Sequence, residues 1–197
     1  MVSVENALRL ASRLLVDGGI DAPRHEARIL LGHVTGKSRE ALLVDHQQDV
    51  GAPAIDELTN LVRRRANHEP MAYLIGEREF WGLAFEVTRD TLIPRPDSET
   101  LVEAALEFAR QKSDSALRIL DLGAGSGCLL VSLLHELPDS KGIGVDQNRA
   151  TLEVAARNAA RHGLSARAQF IASSWGADLS PSFDVILANP PYIADCE

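Results

Sequence analysis

The 197-residue sequence is 45% hydrophobic and 24% charged, the balance of a globular protein with a core to bury. A formal charge of -8 and a pI near 5.3 argue against a protein that holds nucleic acid by coating its phosphates with Lys and Arg. Cys128 and Cys196 show no CxxC or Cys/His spacing, the six histidines show no HExxH pattern, and no apolar run approaches the roughly 18 residues of a membrane span, so no disulfide framework, metal or membrane segment is expected and a reducing cytoplasm is the expected location.

Val4, Ala7, Leu8, Ala11, Leu14 and Leu15 recur at helical spacing, which predicts a helix over residues 3–16 with Ser3 as N-cap and Gly18-Gly19 as its stop. Three further helices are expected over 23–34, 38–44 and 53–68, making residues 1–70 a small all-α domain. Residues 78–88 mix aromatic and β-branched residues around Gly82, which predicts a β-hairpin in a linker spanning 71–97. After the turn Ile93-Pro-Arg-Pro-Asp97 a helix is expected over 98–110.

From there strand and helix signals alternate. Short apolar runs at 118–121, 142–146, 169–172 and 183–188 are of the kind buried on both faces of a sheet, and helices over 128–137 and 151–161 supply crossovers. Residues 98–197 therefore predict a parallel, doubly wound α/β sheet.

The segment Asp121-Leu-Gly-Ala-Gly-Ser-Gly127 leaves a predicted strand and enters a predicted helix. Glycines there let a ligand approach the backbone, and the helix N-terminus presents free N–H groups. A dinucleotide fingerprint needs a third small residue that Gly-x-Gly-x-x-Gly spacing does not find here, since Cys128 and Leu130 occupy those positions. Asp146 ends the next strand, where a carboxylate accepts hydrogen bonds from ribose hydroxyls. A nucleoside without a pyrophosphate is the better inference.

Asn189-Pro-Pro-Tyr192 ends the fourth predicted strand, at the carboxyl edge where open α/β sheets bind ligands. The Asn189 side-chain oxygen and the Pro190 carbonyl can accept from an NH2 group, and Tyr192 can stack on a planar substrate. Such a pair of acceptors suits methylation of an amide or exocyclic amine, because it turns the nitrogen lone pair and binds more tightly as positive charge develops.

These motifs, with Glu69-Pro-Met-Ala-Tyr-Leu-Ile-Gly-Glu-Arg-Glu-Phe-Trp81 and Thr91-Leu-Ile-Pro-Arg-Pro-Asp-Ser-Glu99, resemble the release factor glutamine methyltransferase family over nearly the whole chain. The resemblance implies a Rossmann-like class I methyltransferase fold and S-adenosyl-L-methionine as cofactor. It also implies N5-methylation of the glutamine in the Gly-Gly-Gln motif of peptide chain release factors. By the same resemblance Gly123, Ala124, Gly125, Ser126 and Gly127 hold the methionine part, Asp146 the ribose, and Trp175 lies near the adenine. Asn189 touches cofactor and substrate, while Pro190, Pro191 and Tyr192 complete the glutamine pocket, with Asn189, Pro190 and Tyr192 as the catalytic group. Ser174 departs from the acidic residue common before the Trp, from which a weaker adenine contact is expected. Family members continue past the Asn-Pro-Pro-Tyr motif with further strands of a seven-stranded sheet, so a chain ending at Glu197 is expected to leave residues 183–188 as an apolar edge, to associate through it and to be a poor catalyst.

Gly32-His-Val-Thr-Gly-Lys-Ser38 resembles a P-loop but has only three residues between its glycines, and the run Arg63, Arg64, Arg65 reads as a solvated helix end. The competing readings are a nucleic-acid adenine or cytosine N-methyltransferase, which the acidic chain disfavours, and a non-catalytic binding fragment.

Overall fold

The computed structural model describes residues 1–112, 116–175, 177, 179 and 182–189. The chain divides into two compact units, Met1–Ile75 and Gly76–Glu197.

In the first unit, α1 (Val4–Asp17) starts where the Ser3 hydroxyl accepts from the Asn6 N–H at 3.3 Å, and buries Val4, Ala7, Ala11 and Leu15. It ends at Gly18, where any Cβ would come within 2.7 Å of Ala66. Helix α2 (Pro23–Thr35) opens on a proline and closes on left-handed Gly36. Gly32 thus lies inside a helix, which rules out a phosphate loop there. Ser38 caps α3 (Arg39–Val44), and α4 (Ala52–Ala66) ends in the three arginines. Arg64 pairs with Glu69 at 2.6 Å and Arg65 with Glu26 at 2.5 Å, so two of those arginines are internal ties. A short helix α5 (Met71–Ile75) lies where the sequence reads as linker. Leu15, Leu30, Leu31 and Val62 are among the fully buried side chains of this unit's aliphatic core.

The second unit opens with β1 (Glu77–Phe80) and β2 (Leu83–Glu86), paired antiparallel around Trp81-Gly82. Both turn residues have positive φ, 53° and 68°, the geometry of a type I′ hairpin whose twist matches its strands. Trp81 tolerates it because its N–H donates to Glu99 Oε1 and its indole to Glu136 Oε1, both at 3.0 Å. A 3-10 turn (Pro96–Ser98) leads into α6 (Glu99–Gln111).

Strands β3 (Arg118–Leu122), β4 (Lys141–Asp146), β5 (Ala168–Ala172) and β6 (Val185–Ala188) form a parallel sheet in the order β5-β4-β3-β6. Helix α7 (Cys128–Glu136) joins β3 to β4, and α8 (Arg149–Arg161) joins β4 to β5. The chain then returns to place β6 on the other side of β3. That reversal makes a switch point between β3 and β6, where the carboxyl ends of the strands open a crevice. Ile119, Leu130, Leu133 and Leu134 are fully buried in the core beneath it.

Candidate functional site

A cleft of about 390 Å³ opens at the carboxyl ends of β3, β4 and β6. Gly123, Gly125, Asp146, Trp175 and Asn189 line it together, although they are spread over 67 residues of sequence. Val145, Gln147, Asn148, Ser173, Asp90, Leu92 and Thr151 complete the wall.

The glycine loop owes its shape to φ values of 75° at Gly123, 56° at Gly125 and 78° at Gly127, a region that L side chains rarely adopt. The N–H groups of Gly123 and Ala124 both donate to the Val145 carbonyl at 2.9 Å, pinning the loop to β4. A Cβ on Gly123 would meet nothing within 4 Å, and one on Gly125 only the Gly123 oxygen at 3.9 Å, so both glycines front open space. Gly127 differs: its Cβ would lie 3.1 Å from that of Ala155 and 3.3 Å from the Phe170 ring, so it is small for packing. Ala124, Ser126 and Gly127 are buried and do not line the cleft.

Asp146 is oriented by two backbone donors, Gly125 N–H to Oδ2 at 3.1 Å and Asn148 N–H to Oδ1 at 3.0 Å. A carboxylate held this way keeps further lone pairs for two hydroxyls. Trp175 is 62% exposed and stands at φ 54°, so it is a cleft wall and not a core aromatic. Ser174 accepts from Gln147 Nε2 at 3.5 Å. Asn189 donates from Nδ2 to Ser98 Oγ at 2.8 Å. Pro190, Pro191 and Tyr192 lie outside the described residues.

Asp121, at the loop's root, is 1% exposed and neither carboxyl oxygen has a side-chain partner among the described residues. Burial pushes its pKa up to about 7, and the charge on Asp146 adds to the rise. Burial also pushes the Cys128 thiol up to about 12, so no thiolate nucleophile is available there at neutral pH. Among the described residues no group of His, Cys, Asp and Glu is placed to hold a metal ion, and no helix is long and apolar enough to cross a membrane.

Sequence reasoning missed the rest of the cleft wall, of which Val145, Gln147, Asn148 and Ser173 flank predicted residues in the sequence, and one buried tie. Asp90, Leu92 and Thr151 enter the cleft because the Thr151 hydroxyl donates to the Asp90 carbonyl at 2.6 Å, tying the segment after the hairpin to the start of α8. Asn158 is fully buried: its Oδ1 accepts from Glu86 N–H at 2.7 Å, and its Nδ2 donates to the carbonyls of Glu86 at 3.0 Å and Ser126 at 2.9 Å. It joins β2 to the glycine loop, and only its place on the buried side of an amphipathic helix hinted at that.

The PrmC N-terminal domain family matches residues 6–76, and the methyltransferase small domain family matches residues 98–197. The release factor glutamine methyltransferase of Bradyrhizobium diazoefficiens is 40% identical over 99% of this chain and 66% of its own length. That of Rhodospirillum rubrum is 42% identical over 96% and 57%, and that of Vibrio cholerae 41% identical over 98% and 67%. The chain thus spans roughly two thirds or less of the length of these relatives. Such identity along almost all of the chain carries one conclusion: the chain belongs to the release factor glutamine methyltransferase family.

Proposed function

We propose that the protein is an S-adenosyl-L-methionine-dependent N5-methyltransferase of the glutamine in the Gly-Gly-Gln motif of peptide chain release factors, acting in the cytoplasm. The observation that carries this reading is the cleft in which an open-faced glycine turn, an oriented carboxylate, an exposed tryptophan and Asn189 share one wall. Gly123 and Gly125 would leave room for the methionine part of the cofactor, Asp146 would accept from its ribose, and Trp175 would flank its adenine. Bound there, the cofactor would supply an electrophilic methyl group.

The chain's own part is to present the substrate nitrogen. An amide lone pair is delocalised, so it attacks only when the NH2 group is held with both hydrogens engaged. Asn189 Oδ1 is one acceptor for those hydrogens, and Pro190, Pro191 and Tyr192 are assigned with it on sequence grounds alone. Acceptors of this kind bind the developing positive charge more strongly than the neutral amide, which lowers the barrier without a strong base; the methyl group's former sulfur departs as the neutral thioether, and the N-methylated amide then loses its extra proton to water.

The test is to incubate the protein with methyl-labelled S-adenosylmethionine and release factor, and to locate the label by mass spectrometry. One methyl on the glutamine of the Gly-Gly-Gln loop is expected, and none when that glutamine is alanine. Label on adenine of a DNA oligonucleotide, with release factor untouched, would overturn the proposal. Gly125→Val should abolish cofactor binding, read by calorimetry, because its side chain would project into the open space that the glycine fronts.

A further inference from the structure

Ser98 occupies the N-cap position of α6, where a serine hydroxyl ordinarily accepts from a backbone N–H of the first turn. It makes no such bond here. Its Oγ instead accepts from Nδ2 of Asn189 at 2.8 Å, across 91 residues of sequence. The backbone that delivers it is fixed from both sides. Pro96 opens the 3-10 turn, and the Ser98 N–H donates to the Arg95 carbonyl at 3.0 Å. The next residue, Glu99, accepts from the Trp81 N–H, which ties the start of α6 to the hairpin.

The two ends of a primary amide are chemically opposite, since nitrogen only donates and oxygen only accepts. If Asn189 presented Nδ2 to a substrate NH2 group, donor would face donor and the substrate would be repelled. We infer that Ser98 is a positioning residue whose hydroxyl engages Asn189 Nδ2 and so leaves Oδ1 as the atom offered to a carboxamide substrate in the cleft. The inference rests on the role of Asn189 proposed above and adds what sets its polarity. It also gives a role to the Ile93-Pro-Arg-Pro-Asp-Ser98 segment, as rigid backbone that carries one hydroxyl to the end of β6.

Side-chain amide NMR tests this directly. With 15N-labelled asparagine, the Asn189 NH2 pair is identified as the signals missing from N189D. In the parent one proton of the pair should be shifted downfield and protected from solvent exchange; in S98A both should collapse toward free-amide values, and S98T should restore them. In parallel, single-turnover methyl transfer to release factor at saturating S-adenosylmethionine should slow about five- to tenfold in S98A and recover in S98T, with S-adenosylhomocysteine affinity changed less than about twofold. An Asn189 amide spectrum identical in S98A and the parent overturns the inference, as does a changed spectrum with an unchanged transfer rate. If the parent transfers no methyl group at all, the proposed function fails, and the amide spectrum alone still decides whether Ser98 sets the polarity of Asn189.

Discussion

The two units of this chain solve the burial problem differently. Residues 1–75 bury an aliphatic core with no polar or charged residue fully buried among them, whereas Thr91, Asp121, Ser126, Ser132, Ser140, Thr151, Asn158 and Ser173, every buried polar residue among those described, lie in the second unit. Charge divides the same way: ten carboxylates face nine Lys and Arg in residues 1–75, and eighteen face eleven in residues 76–197. Buried polar groups cost free energy unless each finds a partner. Three of them belong to the glycine loop, Asp121 at its root, Ser126 within it and Asn158 donating to the Ser126 carbonyl, and that loop forms part of the wall of the cleft; Ser140 instead accepts from the Leu117 N–H at the amino end of the sheet.

The strongest way to break this contrast is at Asn158. Asn158→Leu nearly keeps the volume but leaves the Glu86 N–H, the Glu86 carbonyl and the Ser126 carbonyl without their partner. A loss of about 3 to 5 kcal/mol in denaturant stability is expected, with weakened S-adenosylhomocysteine binding because the glycine loop loses its tie to β2. A loss below about 1 kcal/mol, the size of a surface change, would mean that the buried network is incidental.

Asp121 gives the next largest effect, and its sign is unusual for a carboxylate. Its pKa is raised from 3.8 in the unfolded chain to about 7 in the fold, chiefly by burial. The folded state therefore holds the proton more tightly, and the group's favourable contribution is complete below the unfolded value and is lost as pH climbs through about 7. Asp121→Asn removes that titration, so the variant should gain on the parent by roughly 3 to 4 kcal/mol between about pH 4 and pH 8. Urea melts at both pH values would show it, and a difference that does not depend on pH would refute it.

Asp146→Ala should lower S-adenosylhomocysteine affinity by about 1 to 3 kcal/mol while the fold is retained, since this carboxylate is oriented by backbone donors and supports no core. Calorimetry reads the affinity, and equal binding by variant and parent would remove Asp146 from the site.

What the sequence made legible follows from what kind of signal each feature leaves. The helices of the first unit announce themselves through apolar spacing and, at Ser3, through a cap whose hydroxyl accepts from the N–H three residues on; Ser38, expected inside its helix, turns out to cap it in the same way. Helix α5, five residues long, is too short to show a period, and its residues read as linker. Strand β6 starts at Val185, two residues later than the apolar run suggested; at Asp184 the backbone N–H still donates to the Arg118 carbonyl at 2.8 Å, but the Arg118 N–H is taken by the Asp184 carboxylate at 2.9 Å. In the cleft, Gly123, Gly125, Asp146 and Asn189 stand at strand ends beside turn residues, so their spacing marked them. Asp90, Leu92 and Thr151 have no spacing of their own; they reach the cleft only because a loop and a helix dock there, which is a property of packing.

The smallest effect separates two serines that the sequence makes look alike. Ser3 and Ser38 in the first unit and Ser98 in the second all stand at the N-cap position of a helix. Ser3 accepts from the Asn6 N–H, so Ser3→Ala strips an orphan donor of its partner and should cost about 0.5 to 1 kcal/mol of stability, near the low end for caps because the bond is exposed and 3.3 Å long. Ser98 makes no cap bond, and the hydroxyl it spends on Asn189 ties down a side chain rather than a helix. Ser98→Ala should therefore cost α6 less than Ser3→Ala costs α1, while disturbing the Asn189 amide that Ser3→Ala leaves untouched. Amide hydrogen exchange in the first turn of each helix makes the comparison within one experiment. Equal loss of protection in the two helices would show that Ser98 is a cap after all, and that the division between a unit of plain caps and a unit of redirected polar groups does not extend to its serines.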